Sequence, residues 1–162
     1  MSQTEHRVCL LLGSNLQPET NLPRAVSLLQ GKVTVLQASA VWETLSVGSG
    51  GPNFLNAALL VSTSLTALSL KQQVLRPLEA RLGRVRTADK NADRTIDLDI
   101  ILYDGQLLDT ALWQHAHRAV PVAEIFPELR SGTGETLNEV ASRLAIATEI
   151  CLRPDVVISN LI

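Results

Sequence analysis

At 162 residues and 46% hydrophobic content the chain can build a core without disulfides or structural metal, so one domain spanning 1–162 is expected. Lys and Arg number 14 against 16 Asp and Glu, a net charge of -2, which excludes a global electrostatic case for binding nucleic acid or an anionic membrane. Cys9 and Cys151 lack metal-ligand spacing and no segment approaches the roughly 20 apolar residues of a membrane span, so a soluble protein of a reducing compartment, the cytoplasm, is expected.

Arg7 to Leu12 is a short apolar, β-rich run closed by the turn residues Gly13, Ser14 and Asn15, and it predicts a buried strand. Leu22, Ala25, Val26 and Leu29 recur at three- and four-residue steps ahead of Gly31, which predicts a helix over 20–29. Val33 to Val41 is β-branched and partly alternating. It predicts a strand running into Trp42, Glu43 and Thr44, and then a mobile glycine-rich loop at 48–52. Phe54 to Thr63 reads as a further strand. Ser64 is placed to cap a second helix carrying Leu65, Leu68, Leu70, Val74, Leu75, Leu78 and Leu82, with Pro77 as a kink. An arginine-bearing loop follows Gly83, then a strand from Ile96 to Tyr103. The order β-α-β-β-α-β predicts an α+β, ferredoxin-like antiparallel sheet with helices packed on one face. Leu107 and Leu108 predict a small added strand and 135–144 a last helix, a short C-terminal extension.

Residues two apart in a strand share a face, so Asp97 and Asp99 stand side by side, about 7 Å apart by strand rise. Two like charges beside Ile100, Ile101 and Leu102 call for compensating cations, and magnesium, which takes one or two carboxylates plus water and substrate phosphates, suits them. Spacing alone allows solvated edge acids equally well. The loop just upstream carries Arg84, Arg86, Lys90 and Arg94, and arginines for phosphate beside acids for metal form the pattern of nucleotide phosphoryl transfer. Asp89 and Asp93 leave open a loop that is a solvated mixture of charges. His115, His117 and Arg118 fit either a phosphate contact or a wet loop. Asn56, between Leu55 and Ala57, must satisfy its amide in the core or on a polar heterocycle. Gly13 fits a simple turn or a close backbone approach to a ligand.

Taken in order from Leu10 to Leu129, these residues resemble the 6-hydroxymethyl-7,8-dihydropterin pyrophosphokinase family of folate biosynthesis. The most specific part is Gly83-Arg84-Val85-Arg86 followed by Arg94-Thr95-Ile96-Asp97-Leu98-Asp99. The resemblance implies transfer of pyrophosphate from ATP to the hydroxymethyl group of the dihydropterin, with release of AMP. It implies two Mg2+ ions on Asp97 and Asp99, and Arg84, Arg94, Asp97 and Asp99 as the catalytic set. Glu79, Arg86, His115 and Arg118 would contact ATP, and Gly13, Thr44, Phe54 and Asn56 the pterin. ATP and a pterin would be the only partners of a monomer that binds neither nucleic acid nor membrane. Two segments depart from the family pattern. Asn91-Ala92-Asp93 stands where an aromatic and Gly-Pro are usual, and 112–121 is short and lacks a stacking phenylalanine, leaving His117 or Trp113 to replace it. Two other readings share this scaffold: a diverged paralogue that binds nucleotide or pterin without the activity, and an RNA-binding module, which the 3% aromatic content disfavours.

Overall fold

The computed structural model describes residues 4–45, 51–85, 88 and 93–158. The glycines at 48 and 50, Arg86, Lys90, and the departure at 91–92 lie outside these residues. In chain order the elements are β1 (His6–Ser14), α1 (Pro18–Gln30), β2 (Thr34–Ala38), β3 (Trp42–Thr44), β4 (Phe54–Thr63) and α2 (Ala67–Leu70). A π-helical turn (Lys71–Leu75) leads into α3 (Arg76–Arg81), followed by β5 (Asp97–Tyr103) and β6 (Gln106–Leu107). A 3-10 turn (Thr110–Trp113), α4 (Ala116–Ile125), α5 (Leu137–Ala147) and β7 (Ile150–Leu152) complete the chain.

The strands form one antiparallel sheet in the order β6-β5-β1-β4-β3-β7, with β2 also paired to β4. Because β2 and β3 share one position beside β4, the core order is that of the ferredoxin-like fold. The single strand expected over 33–41 is in fact two pieces. Its ladder shifts register between Val35 and Gln37, and Ser39 then bonds Ala58 through both its amide and its hydroxyl before pairing resumes at Trp42.

One face of the sheet buries Val8, Leu10 and Leu12 against Leu22, Ala25, Val26 and Leu29 of α1 and Leu70, Leu75 and Leu78 of the second helical stretch. Ser64 does not cap that stretch. Thr66 does, its hydroxyl accepting from Ser69 N at 3.1 Å. Pro77 brings no amide and crowds the carbonyl four residues earlier, and the chain meets this by widening into the π-helical turn just before it.

Helices also cover the opposite face, contrary to a one-sided packing. Cys9, Leu11, Ala58 and Ile101 meet Ala119, Val122 and Ala123 of α4 and Leu137 and Ala141 of α5. Opposite Cys9 and Leu10 the β5 register skips Ile101, a bulge that turns both Ile101 and Leu102 toward this second core. Trp42 Nε1 donates to Glu124 Oε2 at 2.7 Å, tying α4 to β3. His115, His117 and Arg118, which fit either a phosphate contact or a wet loop, stand at the start of α4, just after the 3-10 turn.

Candidate active site

Sheet register assembles the floor of the site. Gly13 pairs with Asp97 on one side and Asn56 on the other, and Asn56 pairs in turn with Trp42, so one row crosses β5, β1, β4 and β3. One pleat further, Leu11 lies between Asp99 and Ala58. Alternation therefore puts Asp97, Asp99, Gly13, Asn56, Phe54 and Thr44 on the face that α4 covers only in part. The uncovered remainder is a cleft of about 450 Å³ whose opposite wall is Gln114, His115, Ala116, His117 and Arg118, the beginning of α4. An α-helix N-terminus carries amides without helical partners and the positive end of the peptide dipole, so this wall favours anions.

The acids and arginines meet at one end of the cleft. Arg94 Nη1 donates to Asp97 Oδ2 at 3.0 Å, and Arg84 Nη2 lies 3.7 Å from Asp97 Oδ1. The Arg94 guanidinium carbon stands 5.9 Å from the centre of the Phe54 ring. The Asp99 carboxyl is pushed up to about 6, first by burial and then by the neighbouring charge of Asp97. Two neighbouring carboxyl groups facing an open cleft, with Asp99 raised by burial and by the charge of Asp97, are a donor set that suits Mg2+ completed by water and substrate phosphates. Among the described residues no third His, Cys, Asp or Glu joins them, which fits a shared ion better than a closed protein cage.

At the other end, Asn56 Nδ2 donates to Thr44 Oγ1 at 3.0 Å, and both residues are buried. This bond fixes the amide so that Asn56 Oδ1 points over Gly13, where an added Cβ would lie 3.4 Å from it and 4.0 Å from the Phe54 ring. The missing side chain at Gly13 thus leaves room on the floor between an amide edge and an aromatic face, a slot for a flat polar ring.

The expected residues fall into three groups. Gly13, Thr44, Phe54, Asn56, Arg94, Asp97, Asp99, His115 and Arg118 all line the cleft, and Arg84 reaches it through Asp97. Arg86 lies outside the described residues. Glu79 sits apart from the cleft lining: it is buried, and its Oε2 accepts from Leu98 N and from Arg76 Nη1, both at 2.8 Å. Arg76 also donates to Leu98 O at 3.1 Å and lies 4.0 Å from Asp99. The Arg76–Glu79 pair thereby satisfies both backbone groups of Leu98, between the two acids, where no strand among the described residues neighbours β5 on that side.

Sequence reasoning passed over Arg76, because a helix residue reaching around a sheet edge leaves no pattern along the chain. It also left His117 and Trp113 as alternatives. His117 faces the cleft, whereas Trp113 packs into the core beneath α4. Arg118 Nη1 donates to His117 Nε2 at 2.7 Å, while Arg118 Nε donates to Asp109 Oδ2 at 3.0 Å. Burial, followed by the Arg118 charge, pulls the His117 pKa down to about 4. The ring is therefore neutral at pH 7, with Nε2 accepting and the proton on Nδ1.

A ferredoxin-like domain that sets paired acids, arginines and a helix N-terminus around one cleft defines an enzyme handling the phosphates of a nucleotide. Comparison with known proteins makes the assignment specific. The family described as 7,8-dihydro-6-hydroxymethylpterin-pyrophosphokinase matches residues 9–127, and the chain belongs to that family. A Pseudomonas aeruginosa 2-amino-4-hydroxy-6-hydroxymethyldihydropteridine pyrophosphokinase is 32% identical over 146 residues, covering 83% of this chain and 89% of that protein. The Haemophilus influenzae enzyme of the same name is 27% identical over 157 residues, covering 90% and 97%. Among solved structures, wild-type Plasmodium falciparum HPPK-DHPS with pteroate superposes with a TM-score of 0.69 at 10% identity. That match covers 88% of this chain and 43% of the Plasmodium chain, so the present protein spans less than half of it, and the likeness is one of fold.

Proposed function

We propose that this protein transfers pyrophosphate from ATP to the hydroxymethyl oxygen of 6-hydroxymethyl-7,8-dihydropterin and releases AMP. The observation that carries the reading is the row across the sheet: the acid end for phosphates and the Asn56 end for a ring stand in one register, joined over Gly13.

In this reading Thr44, Asn56 and Phe54 hold the pterin over Gly13, with the neutral His117 ring on the facing wall. Asn56 and Thr44 fix its polar edge, which orients the hydroxymethyl group toward Asp97 and Asp99. His115, Arg118 and the first amides of α4 receive ATP phosphates. Asp97 and Asp99 would hold two Mg2+ ions, which when bound supply charge neutralisation to the phosphates and favour attack by the substrate oxygen. Arg94 and Arg84 meet the negative charge that grows as the bond between the α- and β-phosphates breaks, which is electrostatic catalysis with no covalent enzyme intermediate. A monomer is the proposed working unit. No helix among the described residues is long and apolar enough to cross a membrane. The proposed location is the cytoplasm, where ATP and magnesium are at hand.

The test is direct: AMP formation followed with ATP, Mg2+ and 6-hydroxymethyl-7,8-dihydropterin. Turnover that requires all three is expected and is lost in Asp97→Ala. Calorimetric binding of both substrates without AMP release would point instead to a paralogue that binds without catalysing.

A further inference from the structure

Asn15 lies outside the set of residues assigned to either substrate, yet it is 1% exposed and its side chain joins three segments of chain. Its Oδ1 accepts from Arg94 N at 2.6 Å, while its Nδ2 donates to Asp93 Oδ1 at 2.9 Å and to Pro52 O at 3.4 Å. The backbone adds to this: Asn15 N and Leu16 N both donate to Arg94 O, at 3.0 and 3.2 Å, and Ser14 Oγ donates to Thr95 O at 2.6 Å. The amide and carbonyl of Arg94 are thus both held from the β1–α1 turn. An amide in this place cannot reverse, since Arg94 N requires an acceptor and the Asp93 carboxylate a donor.

We propose that Asn15 is a positioning residue for catalysis: with Asp93 as its partner, it fixes the point from which the Arg94 side chain reaches Asp97 and the cleft. The Arg94 guanidinium sits 3.0 Å from Asp97 on a long, rotatable side chain, so its placement depends on where its backbone is anchored. Asp93 belongs to the segment where this chain departs from the family pattern, and here a hydrogen bond holds Asp93 itself. The bond to Pro52 O extends the anchor to the segment leading into β4, which carries Phe54 and Asn56. Asn15 therefore relates the arginine end of the cleft to the ring end.

The proposal rests on Arg94 acting in pyrophosphoryl transfer, and exchanging donor and acceptor tests both. Asn15→Asp keeps the acceptor for Arg94 N but loses the donor and faces Asp93 with a second carboxylate. A fall in kcat of about tenfold is expected, with both KM values within about twofold of wild type. Adding Asp93→Asn restores a donor from the other side and should recover most of kcat. In an Arg94→Ala background, Asn15→Asp should have no further effect on kcat. An equal loss in that background, or no recovery in the double variant, overturns the role of Asn15. Wild-type kcat in Arg94→Ala alone overturns the role of Arg94, a separate failure. Should Asn15→Asp not fold, Asp93→Ala at an exposed position removes only the partner, and an unchanged kcat there overturns the proposal as well.

Discussion

Two groups facing the cleft resist the charge state their residue type usually takes, and each predicts a pH effect. Asp99, pushed up to about 6 by burial and by Asp97, is partly protonated in weak acid, so below pH 6 a Mg2+ ion must displace a proton to bind. Apparent Mg2+ affinity should fall about tenfold per pH unit below 6 and level off above it, as calorimetry at several pH values can check; a flat profile would place the ion elsewhere. His117 runs the other way. Its pKa of about 4 lies below the ordinary 6.5, so between these values the unfolded chain takes up a proton that the folded chain refuses. Its contribution is therefore full above 6.5 and is lost as pH falls toward 4. Urea unfolding of His117→Gln should lack that acid-side loss, and the wild-type ring should titrate near 4 by NMR; a midpoint near 6.5 would overturn the assignment of a neutral ring. Between 6 and 3.8 Asp99 opposes His117 in the wild type, since there the folded chain binds the extra proton, and the variant isolates the histidine term. Gly13→Ala offers a steric probe. The new methyl meets its neighbours at ordinary contact distance, so the fold should survive while the pterin KM rises.

Beside Asp97 and Asp99, no strand among the described residues neighbours β5 on one side, and an ion pair from α3 takes the place of a strand there. Glu79 accepts from Leu98 N and Arg76 donates to Leu98 O, so the peptide between the two acids is held as a paired strand would hold it. Glu79→Ala should cost about 2 to 3 kcal/mol in urea unfolding, since it strands a buried N–H and removes a partner from Arg76. Glu79→Gln, which can still accept from Leu98 N, should recover much of that. If Glu79 instead touched ATP, as the family resemblance implies, Glu79→Ala would raise the ATP KM at unchanged stability. Such edge pairing is invisible along the chain, whereas β4 is legible as the apolar run within Phe54 to Thr63 and α1 from Leu22, Ala25, Val26 and Leu29, because burial on both faces imposes a continuous apolar run and burial of one helix face a three- to four-residue step on the sequence itself. The missed α4 illustrates the opposite case. Pro121 inside it and two histidines at its start read as loop, and tertiary packing of Ala119, Val122 and Ala123 on the sheet overrides that local signal. The site residues from β1, β4 and β5 could be read because they sit in short strand motifs. Thr148, which reaches the cleft from the end of α5, has no local signature at all.

Across the whole molecule the cleft draws on β1, β3, β4, β5 and the start of α4, so a ligand that fills it binds to the folded arrangement and not to the unfolded chain. At about a hundred times its Kd such a ligand stabilises the fold by about 2.7 kcal/mol. For a domain of this length each kcal/mol moves Tm by about 2 to 4 °C, so Mg2+ with a non-hydrolysable ATP analogue should raise Tm by roughly 5 to 10 °C, and the analogue without Mg2+ by less. Asp99→Asn separates stability from function in this experiment. In the absence of metal the Asp99 carboxylate is opposed by burial and by Asp97, and the Arg76 guanidinium, 4.0 Å away, and then the Arg118 charge stand against that. A neutral amide relieves the opposition, so the unliganded variant should melt no lower than wild type, while its response to Mg2+ and nucleotide should disappear. A lower unliganded Tm would mean that Asp99 serves the fold. A preserved ligand response would mean that the metal and phosphates lie elsewhere. The expected pairing, an unliganded protein at least as stable and a lost response, is the mark of a charge kept at a cost to the fold because the reaction uses it.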